Sequence, residues 1–471
     1  MAPSSTARSA APNDTADIKT SRKQRLFAGG VAPFYLAILA VTILVGISAV
    51  MVVSASSGEA VLREGGTLAS FAEGANNLLF IFIGALLAAV ISRLDYRRFA
   101  SWSFPAAIAV LALLIYTLIW GATTLGAQRW IYIGSFSVQP SEVAKPVLLV
   151  FLAYVLTYFS EAREKAGFYD RRAMMVLAVP AALIGICLFL IILQPDLGTT
   201  SIIAFGLLIV YAMSGFGLRY LTLILPIAAA LFIFRAFAQG NYQAQRIRSL
   251  LSGLFQGSYS HQVTQGLYAL GSGGLFGAGL GLSRQKYYYL PEAQNDFILA
   301  VIGEEMGLLG TLMVVGAFAL LMWAGFTITQ GARDRMGRVL AAGATTMLIT
   351  QALMNLLAVV GLGPVTGKPL PFVTLGGSAM ISSFVLLGII LSVARFAGEP
   401  RSDYVEHRSL FTSFIQWWLA VTDSLVRDPE KKERRKRRTQ REGPVGGDED
   451  EGDLEWRWDS RSHLPSSRTG S

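Results

Sequence analysis

The chain has 471 residues, of which 53% are hydrophobic and only 15% are charged, and its mean hydropathy is +0.49. Because soluble globular proteins carry about 25% charged residues, this composition excludes an ordinary soluble domain. A single cysteine excludes an intramolecular disulfide, and the presence of only three histidines argues against a zinc site built from histidine.

The net charge of +9 is concentrated near the C-terminus. Residues 431–441 contain eight basic residues and one acidic residue, and an acidic run follows at 448–455. A basic block beside a membrane is typical of the cytoplasmic side and attracts anionic lipid, so we favour this interpretation over nucleic-acid binding. We expect residues 398–471 to form a solvated, disordered cytoplasmic tail.

The rest of the chain consists of apolar runs separated by short polar clusters. After a polar N-terminal tail (residues 1–30), the runs lie near 32–53, 77–92, 104–122, 142–159, 173–193, 199–213, 218–236, 297–326, 340–361 and 378–396. We interpret the first run as an uncleaved span. A bilayer is crossed by about 20 apolar residues. We therefore predict an all-α polytopic membrane protein with ten transmembrane helices in residues 31–397.

An even number of spans places both termini on one side of the membrane. In this count, three short basic loops around Arg97, Arg171 and Arg335 fall on the same side as the basic tail, and the positive-inside rule makes that side cytoplasmic. The longest connection, at about 237–296 between helices 7 and 8, is then extracytoplasmic. Connections longer than about 12–15 residues are usually functional or disordered.

Three predicted outer segments contain charged residues. In the first, at 126–145, Arg129 precedes an interfacial Trp and the next helix starts at Pro140, so Lys145 lies within a span, where ionisable residues are functional candidates by default. In the second, at 194–200, Asp196 has a capping and a functional interpretation of about equal weight. The third, at 361–377, has Lys368 as its only charge, which suggests a nearby anion.

The long loop contains a glycine-rich piece at 266–286. It lacks the Gly-Lys-Ser/Thr ending of a phosphate-binding loop, and no predicted strand precedes it, so nucleotide binding is disfavoured. Glycines let a backbone pack closely against helices. We predict a tightly packed re-entrant or interfacial segment. The alternative is that this segment also has a function, in which its closely packed backbone admits a lipid headgroup.

Asp296 ends the long loop and directly precedes the eighth span. Its simplest interpretation is a helix cap for a helix that begins at Phe297. Glu304 and Glu305 have no such explanation, because they lie about 12 Å further along the helix. We expect these carboxylates to border a polar cavity with Asp296 at its rim. A carboxylate there can accept a proton from a sugar hydroxyl.

Four segments together resemble a known family. They read GAQRWI…QPSEVAKP, QPDLGT, LPEAQNDFILAVIGEEMGLLG and PVTGKPLPFVTLGGS, and they occur in the order typical of the SEDS (shape, elongation, division and sporulation) proteins. The resemblance covers about residues 30–397, and it is closer to the division-type member than to the elongation-type member. Gln294 departs from the family pattern, which usually has His two residues before the aspartate.

The resemblance implies a peptidoglycan glycosyltransferase that polymerises lipid II and releases undecaprenyl diphosphate. It implies that Asp296 is the general base, and we add Glu305 as a supporting residue. Candidates for binding the diphosphate or headgroup are Lys145, Lys368, Arg246, Lys286 and Arg129. No organic cofactor is expected, whereas a divalent cation (Mg²⁺ or Mn²⁺) is compatible with a diphosphate.

The same resemblance implies partners and a location. These are a class B penicillin-binding transpeptidase, other division proteins, and the plasma membrane at the division septum, with no nucleic acid involved. The alternatives are a lipid II flippase, since intramembrane charges also suit a transporter, and an elongation-type polymerase. A non-catalytic scaffold would leave Asp296 and Glu305 unexplained.

Overall fold

The computed structural model describes residues 31–62, 66–124, 127–134, 136–166, 171–215, 242–287 and 289–396. Within these ranges the chain is mostly helical. The helices are α1 (Val31–Leu62), α2 (Gly66–Arg93), α3 (Phe99–Trp120), α4 (Pro140–Ala166), α5 (Arg171–Leu193), α6 (Leu197–Met213), α7 (Tyr242–Gln256), α8 (His261–Ser272), α9 (Ile298–Gly331), α10 (Arg335–Val359) and α11 (Gly377–Phe396), and a 3₁₀ turn, Tyr96–Arg98, precedes α3. The polytopic, helical fold predicted from the sequence is confirmed.

Seven of these helices are long and apolar enough to cross a membrane, namely α1, α2, α3, α4, α9, α10 and α11. Two shorter apolar helices, Val179–Leu193 and Leu197–Met213, coincide with predicted spans five and six. The predicted seventh span at 218–236 lies outside the described residues, as do the two predicted tails at 1–30 and 398–471. The total of ten spans therefore stays a prediction.

The connection between α3 and α4 contains a small sheet that the sequence analysis did not predict. Strands β1 (Ala122–Thr124), β2 (Ala127–Ile133) and β3 (Phe136–Val138) pair antiparallel in the order β1-β2-β3. Ala122 pairs with Trp130, and Ile131 pairs with Val138. The sheet leads directly into α4, which begins at Pro140 as the sequence predicted.

Helix α10 packs against four other membrane helices, α4, α6, α9 and α11. Small residues make this possible, because they let helix backbones approach closely. At Gly343, a Cβ atom would come within 2.4 Å of the Leu149 side chain on α4 and 2.6 Å of Val210 on α6. Helix α10 thus brings α4 and α6 together.

Helix α9 is broken near its start. Gly307 has φ 68° and ψ −162°, so two helical pieces meet there instead of one continuous span. The residue is a glycine because this backbone conformation is strained for any side chain. The break lies two residues after Glu305, and it therefore affects the part of α9 that contains both buried glutamates.

Candidate active site

Asp296 is half-buried in the turn that precedes α9. The cap of this helix is Phe297, and no side chain donates or accepts a capping hydrogen bond there. The helix itself starts at Ile298, one residue later than predicted. The interpretation of Asp296 as a helix cap is therefore wrong, and its carboxylate needs another explanation.

The Asp296 carboxylate faces the segment that leads to α11. A Cβ atom on Gly367 would lie 3.4 Å from Asp296 Oδ2 and 3.6 Å from Arg246 Nη1. Gly367 has φ +68°, a conformation that favours glycine. The absence of a side chain at Gly367 thus leaves open the space that Asp296 and Arg246 border.

Asn355 on α10 fixes the backbone around this space. Its side-chain amide donates to the carbonyl of Asp296 at 2.8 Å and to the carbonyl of Lys368 at 2.9 Å. One buried amide therefore ties the turn before α9 to the segment before α11. The sequence analysis did not single out Asn355.

Beside this turn lies a group of four buried charges that we call the Lys368 network: Glu142, Lys145, Asp196 and Lys368. None of the four is more than 3% exposed. Lys368 Nζ lies 2.9 Å from Asp196 Oδ2 and 3.7 Å from Glu142 Oε1. Lys145 Nζ lies 2.5 Å from Glu142 Oε2 and donates to Gln351 Oε1 at 2.7 Å. Two cations and two anions from three parts of the fold thus balance each other.

Asp196 accepts the largest number of hydrogen bonds in this network. It caps α6 by accepting from the Thr199 amide at 3.1 Å, and its Oδ2 also accepts from Gln139 at 2.9 Å and Ser141 at 3.0 Å. Burial alone would raise the pKa of Asp196, but the charges of Lys368 and Arg129 and the hydrogen bonds from Lys368 and the Thr199 amide hold that pKa below its ordinary value. The predicted cap by Asp196 is therefore confirmed, and a functional role of Asp196 stays a prediction.

The electrostatic situation of Asp296 is the opposite. Burial raises the pKa of Asp296 to about 6, the nearby Glu292 adds to the increase, and the positive charges of Arg246 and Lys368 oppose it. A carboxylate whose pKa is close to neutral pH can accept a proton and release it again. Of the two aspartates, Asp296 is thus the one suited to proton transfer.

A second buried cluster holds the start of α9. We call Ser54, Lys286, Glu304 and Glu305 the loop clamp, and residues 273–286 the Gly-rich loop. Glu305 accepts hydrogen bonds from Ser54 Oγ at 2.6 Å and from the Gly281 amide at 3.0 Å, and it pairs with Lys286 Nζ at 3.0 Å.

Glu304 completes the loop clamp by accepting hydrogen bonds from the amides of Arg284 at 2.8 Å and Gln285 at 3.3 Å, and from the hydroxyl of Ser283. The two glutamates therefore hold a folded loop instead of bordering the polar cavity expected from the sequence.

The Gly-rich loop also supplies hydrogen-bond acceptors for the backbone amides that follow the break in α9. The amides of Leu308 and Leu309 donate to the carbonyls of Gly274 and Leu275, at 2.9 and 3.3 Å. A Cβ atom on Gly277 would come within 2.1 Å of the Glu305 carbonyl oxygen. This confirms the prediction that glycines allow the segment to pack closely against a helix.

An apolar groove of about 580 Å³ runs between α2, α3, β3, α4 and α11. Phe80, Trp102 and Val143 contribute to its walls, together with Ser382. The Ser382 hydroxyl donates to the backbone carbonyl of Glu142 at 2.9 Å, so the groove wall contacts the backbone beside the Lys368 network. An apolar groove of this volume is suited to an apolar chain.

Comparison with known proteins decides the family. A family model described as cell cycle protein, and named for FtsW, RodA and SpoVE, matches residues 35–399. The chain belongs to the FtsW/RodA/SpoVE family. Stage V sporulation protein E of Bacillus subtilis is 35% identical over 370 residues, which cover 78% of this chain and 98% of that protein.

Two further similarities are informative. A protein of Trichlorobacter lovleyi named probable peptidoglycan glycosyltransferase FtsW is 33% identical over 375 residues, 77% of this chain and 94% of that protein. A solved structure described as "Structural coordination of polymerization and crosslinking by a peptidoglycan synthase complex" is similar with a TM-score of 0.59 and 25% identity. The similarity covers 77% of this chain and 98% of that one.

Within this family fold, the predicted site residues fall into separate groups. Lys368 and Arg246 lie close enough to Asp296 that the positive charge of each lowers the pKa of its carboxyl group. Lys145 is joined to them through Glu142.

Arg129 donates to the carbonyls of Gln194 at 2.9 Å and Pro195 at 2.5 Å, next to Asp196. Lys286 and Glu305 belong to the loop clamp instead. The predicted roles of Arg129 and Lys286 toward a diphosphate, and of Glu305 as a supporting residue, remain predictions.

Three residues of the site were not predicted: Glu142, Gln351 and Asn355. Glu142 lies at a helix start, where an acidic residue already has a local explanation, and neutral amides such as Gln351 give no signal in a charge count. Among the described residues, no group of three or more His, Cys, Asp or Glu side chains could hold a metal ion. The predicted divalent cation thus has no protein site of this kind in the described ranges.

Proposed function

We propose that this protein is a peptidoglycan glycosyltransferase that polymerises lipid II and acts in septal wall synthesis during cell division. Membership of the FtsW/RodA/SpoVE family supports this function, as does the name of the Trichlorobacter relative. The observation that carries the proposal is Asp296: it is half-buried, does not cap its helix, and has a pKa raised to about 6.

In the proposed reaction, Asp296 accepts the proton of the 4-hydroxyl of the acceptor sugar. The hydroxyl oxygen attacks C1 of the donor sugar, the bond from C1 to the diphosphate oxygen breaks, and polyprenyl diphosphate leaves with the bonding electrons. Asp296 then releases its proton to solvent. The donor already carries its leaving group, so the reaction as proposed uses no organic cofactor.

The charged leaving group needs cations and the lipid needs an apolar path. Arg246, beside Asp296, and Lys368 are the best-placed candidates for the diphosphate, and a divalent cation could bind with the diphosphate itself. The apolar groove fits a polyprenyl chain because its lining is apolar, and Ser382 in its wall donates to the backbone of Glu142 in the Lys368 network.

The proposed partner is a class B penicillin-binding transpeptidase, together with other division proteins, at the septal plasma membrane. The similarity to a chain of a peptidoglycan synthase complex supports a transpeptidase partner, because that complex combines polymerization with crosslinking. A purified enzyme should therefore be assayed with and without its transpeptidase.

The second candidate function, a lipid II flippase, has one observation in its favour. Broken membrane helices are typical of transporter binding sites, and α9 is broken at Gly307. Here, however, the amides freed by the break bond to the Gly-rich loop instead of facing a substrate path. We therefore rank transport below transfer.

The replacement Asp296→Asn tests the proposal. Asn keeps the size and polarity of the side chain but cannot accept the proton, and a general base contributes about 10²–10⁴-fold to rate. We expect the variant to insert normally, to bind its transpeptidase, and to lose glycan synthesis by about that factor in an assay with purified lipid II.

The matched control is Glu292→Gln, which neutralises an exposed carboxylate four residues earlier. We expect this control to keep most of its activity. Polymerisation by Asp296→Asn at the wild-type rate would disprove the role of Asp296. Translocation of lipid II by reconstituted wild-type protein, without polymer formation, would favour the flippase.

A further inference from the structure

A second cavity lies between α7, α8 and the segment that follows α10. Its volume is about 320 Å³. Ser249 on α7, Ser260 and His261 at the start of α8, and Gly361 and Val365 beyond α10 line it. In the predicted topology α7 and α8 belong to the long extracytoplasmic loop, so the cavity is accessible from outside the apolar spans.

The lining of this cavity combines apolar surface with several polar side chains and carries little charge. It includes two glutamines, two serines, a tyrosine, a histidine and the guanidinium of Arg246, and none of the residues described along its walls is a carboxylate. Amide and hydroxyl side chains both donate and accept hydrogen bonds, as the hydroxyl and acetamido groups of amino sugars do. Ligand cavities usually measure about 300–1,000 Å³, so this one suits a sugar unit and is too small for a long lipid tail.

The walls of the cavity are fixed by packing. The ring of Tyr259 lies so close to Gly253 and Gly361 that a Cβ atom on either glycine would come within 2.3 or 2.9 Å of it. The Gln262 side chain donates to the carbonyl of Pro291 at 3.1 Å, which joins α8 to the turn before Asp296. The site is therefore preformed, which lowers the entropic cost of binding a ligand.

Arg246 connects this cavity to Asp296. The Arg246 side chain lines the cavity, and its Nη1 also borders the space at Gly367 that Asp296 Oδ2 borders. We propose that the cavity is a saccharide subsite that holds an N-acetylated sugar ring of the glycan while the neighbouring ring reacts at Asp296. This inference rests on the proposed function and adds the place where the sugar is held.

The direct test measures binding of a soluble N-acetylhexosamine disaccharide by saturation-transfer NMR, with the full-length protein in lipid nanodiscs. Ser249→Tyr should fill the cavity, and Gln256→Tyr adds the same side chain at an exposed site on α7 that does not line it. We expect saturation transfer with wild type, with Asp296→Asn and with Gln256→Tyr, and its loss with Ser249→Tyr.

A kinetic test uses His261→Ala, since His261 is exposed and lines the cavity. We expect the KM for lipid II to rise about tenfold, which corresponds to the loss of one or two hydrogen bonds. We expect kcat to change less. Gln256→Ala should leave both constants unchanged.

Two outcomes would overturn the saccharide subsite. Sugar binding that is equal in Ser249→Tyr and Gln256→Tyr would place the sugar elsewhere. Displacement of the sugar by inorganic diphosphate, with diphosphate binding lost in Ser249→Tyr, would make the cavity an anion site. Because these readouts measure binding, they remain decisive even if wild type fails to polymerise lipid II, a result that would disprove only the proposed function.

Discussion

The Lys368 network and the loop clamp both bury opposite charges within the helical fold, but they use different partners. In the loop clamp, the carboxylates of Glu304 and Glu305 bind mainly backbone amides of one continuous segment. In the Lys368 network, side chains from separate parts of the fold pair with one another. The first arrangement fixes the path of the chain, whereas the second fixes the charge around Asp296.

This comparison predicts that damage to the loop clamp mainly lowers stability, whereas damage to the Lys368 network lowers activity even when stability is restored. Both clusters are buried, so a simple loss of protein would not distinguish them. The three substitutions below therefore separate the free energy of unfolding from the rate of glycan synthesis, and the predictions begin with the largest expected effect.

Lys368→Met should have the largest effect on the Lys368 network. It leaves Asp196 and Glu142 with one cation fewer, and breaking a buried ion pair costs about 3–5 kcal/mol. The double variant Lys368→Met/Asp196→Asn should recover much of that stability but none of the activity. Unfolding in mixed micelles and lipid II polymerisation are the two measurements. Recovery of activity in the double variant would show that the network is only structural.

Glu305→Gln should weaken the loop clamp. The substitution removes the charge that faces Lys286 and the Gly281 amide, and hydrogen bonds to charged groups contribute about 1.5–3 kcal/mol each. We expect a loss of stability of that size and only a partial loss of polymerisation. The double variant Glu305→Gln/Lys286→Met should regain stability and activity together. Activity that stays low in a stable double variant would place Glu305 in the reaction and contradict the comparison.

Asn355→Ala tests the connection between Asp296 and Lys368. It removes two hydrogen bonds, worth about 0.5–1.5 kcal/mol each, without changing any charge. We expect a moderate loss of stability and a fall in kcat greater than the change in KM, because the base is then poorly positioned. Asn355→Gln provides a variant with the same chemistry at a different length. Equal kinetics in wild type and Asn355→Ala would exclude this positioning role.

The smallest expected effect is the dependence on pH. The pKa of Asp296 is about 6, so the carboxylate is mostly ionised above that pH and mostly protonated below it. Activity should rise with pH through a midpoint near 6 and fall about tenfold between pH 7 and pH 5. Because Glu292 raises the pKa of Asp296, Glu292→Gln should shift the midpoint to lower pH. A profile that is flat from pH 5 to 7 would argue against a carboxylate base.

The sequence predicted those parts of the site whose signals are local. Lys145 was notable because ionisable residues are expensive in apolar segments, Lys368 because it is the only charge of its outer segment, and Asp196 because it follows a proline at a helix start. The partner of Lys145 could have been predicted, since Glu142 lies three residues earlier on the same helix. The pairing of Lys368 with Asp196 could not, because it depends on how the segment before α11 packs against the start of α6. Asp296 also stood out in the sequence as a candidate, although the cap that offered its simplest explanation is absent.

The fold, like the site, has features that local sequence patterns predicted and features that depend on distant contacts. The long apolar runs predicted the helices, but the break at Gly307 and the sheet before α4 were missed. A glycine within a long apolar run has no distinctive pattern, and its unusual backbone conformation exists because the Gly-rich loop packs against it. The strands of the sheet are only three to seven residues long, too short for a clear alternation of polar and apolar residues.

The break at Gly307 has a consequence for biogenesis. Unpaired backbone groups cost several kcal/mol each in hydrocarbon, so a newly inserted α9 should first form one continuous helix. Backbone amides in its early turns can replace hydrogen bonds within the helix by hydrogen bonds to the Gly-rich loop. This replacement requires that both segments have been synthesised and placed in the membrane. We therefore expect docking of this loop to be a late maturation step. Gly307→Ala, which favours the continuous helix, should trap a full-length, inserted protein whose Gly-rich loop is cleaved by added protease.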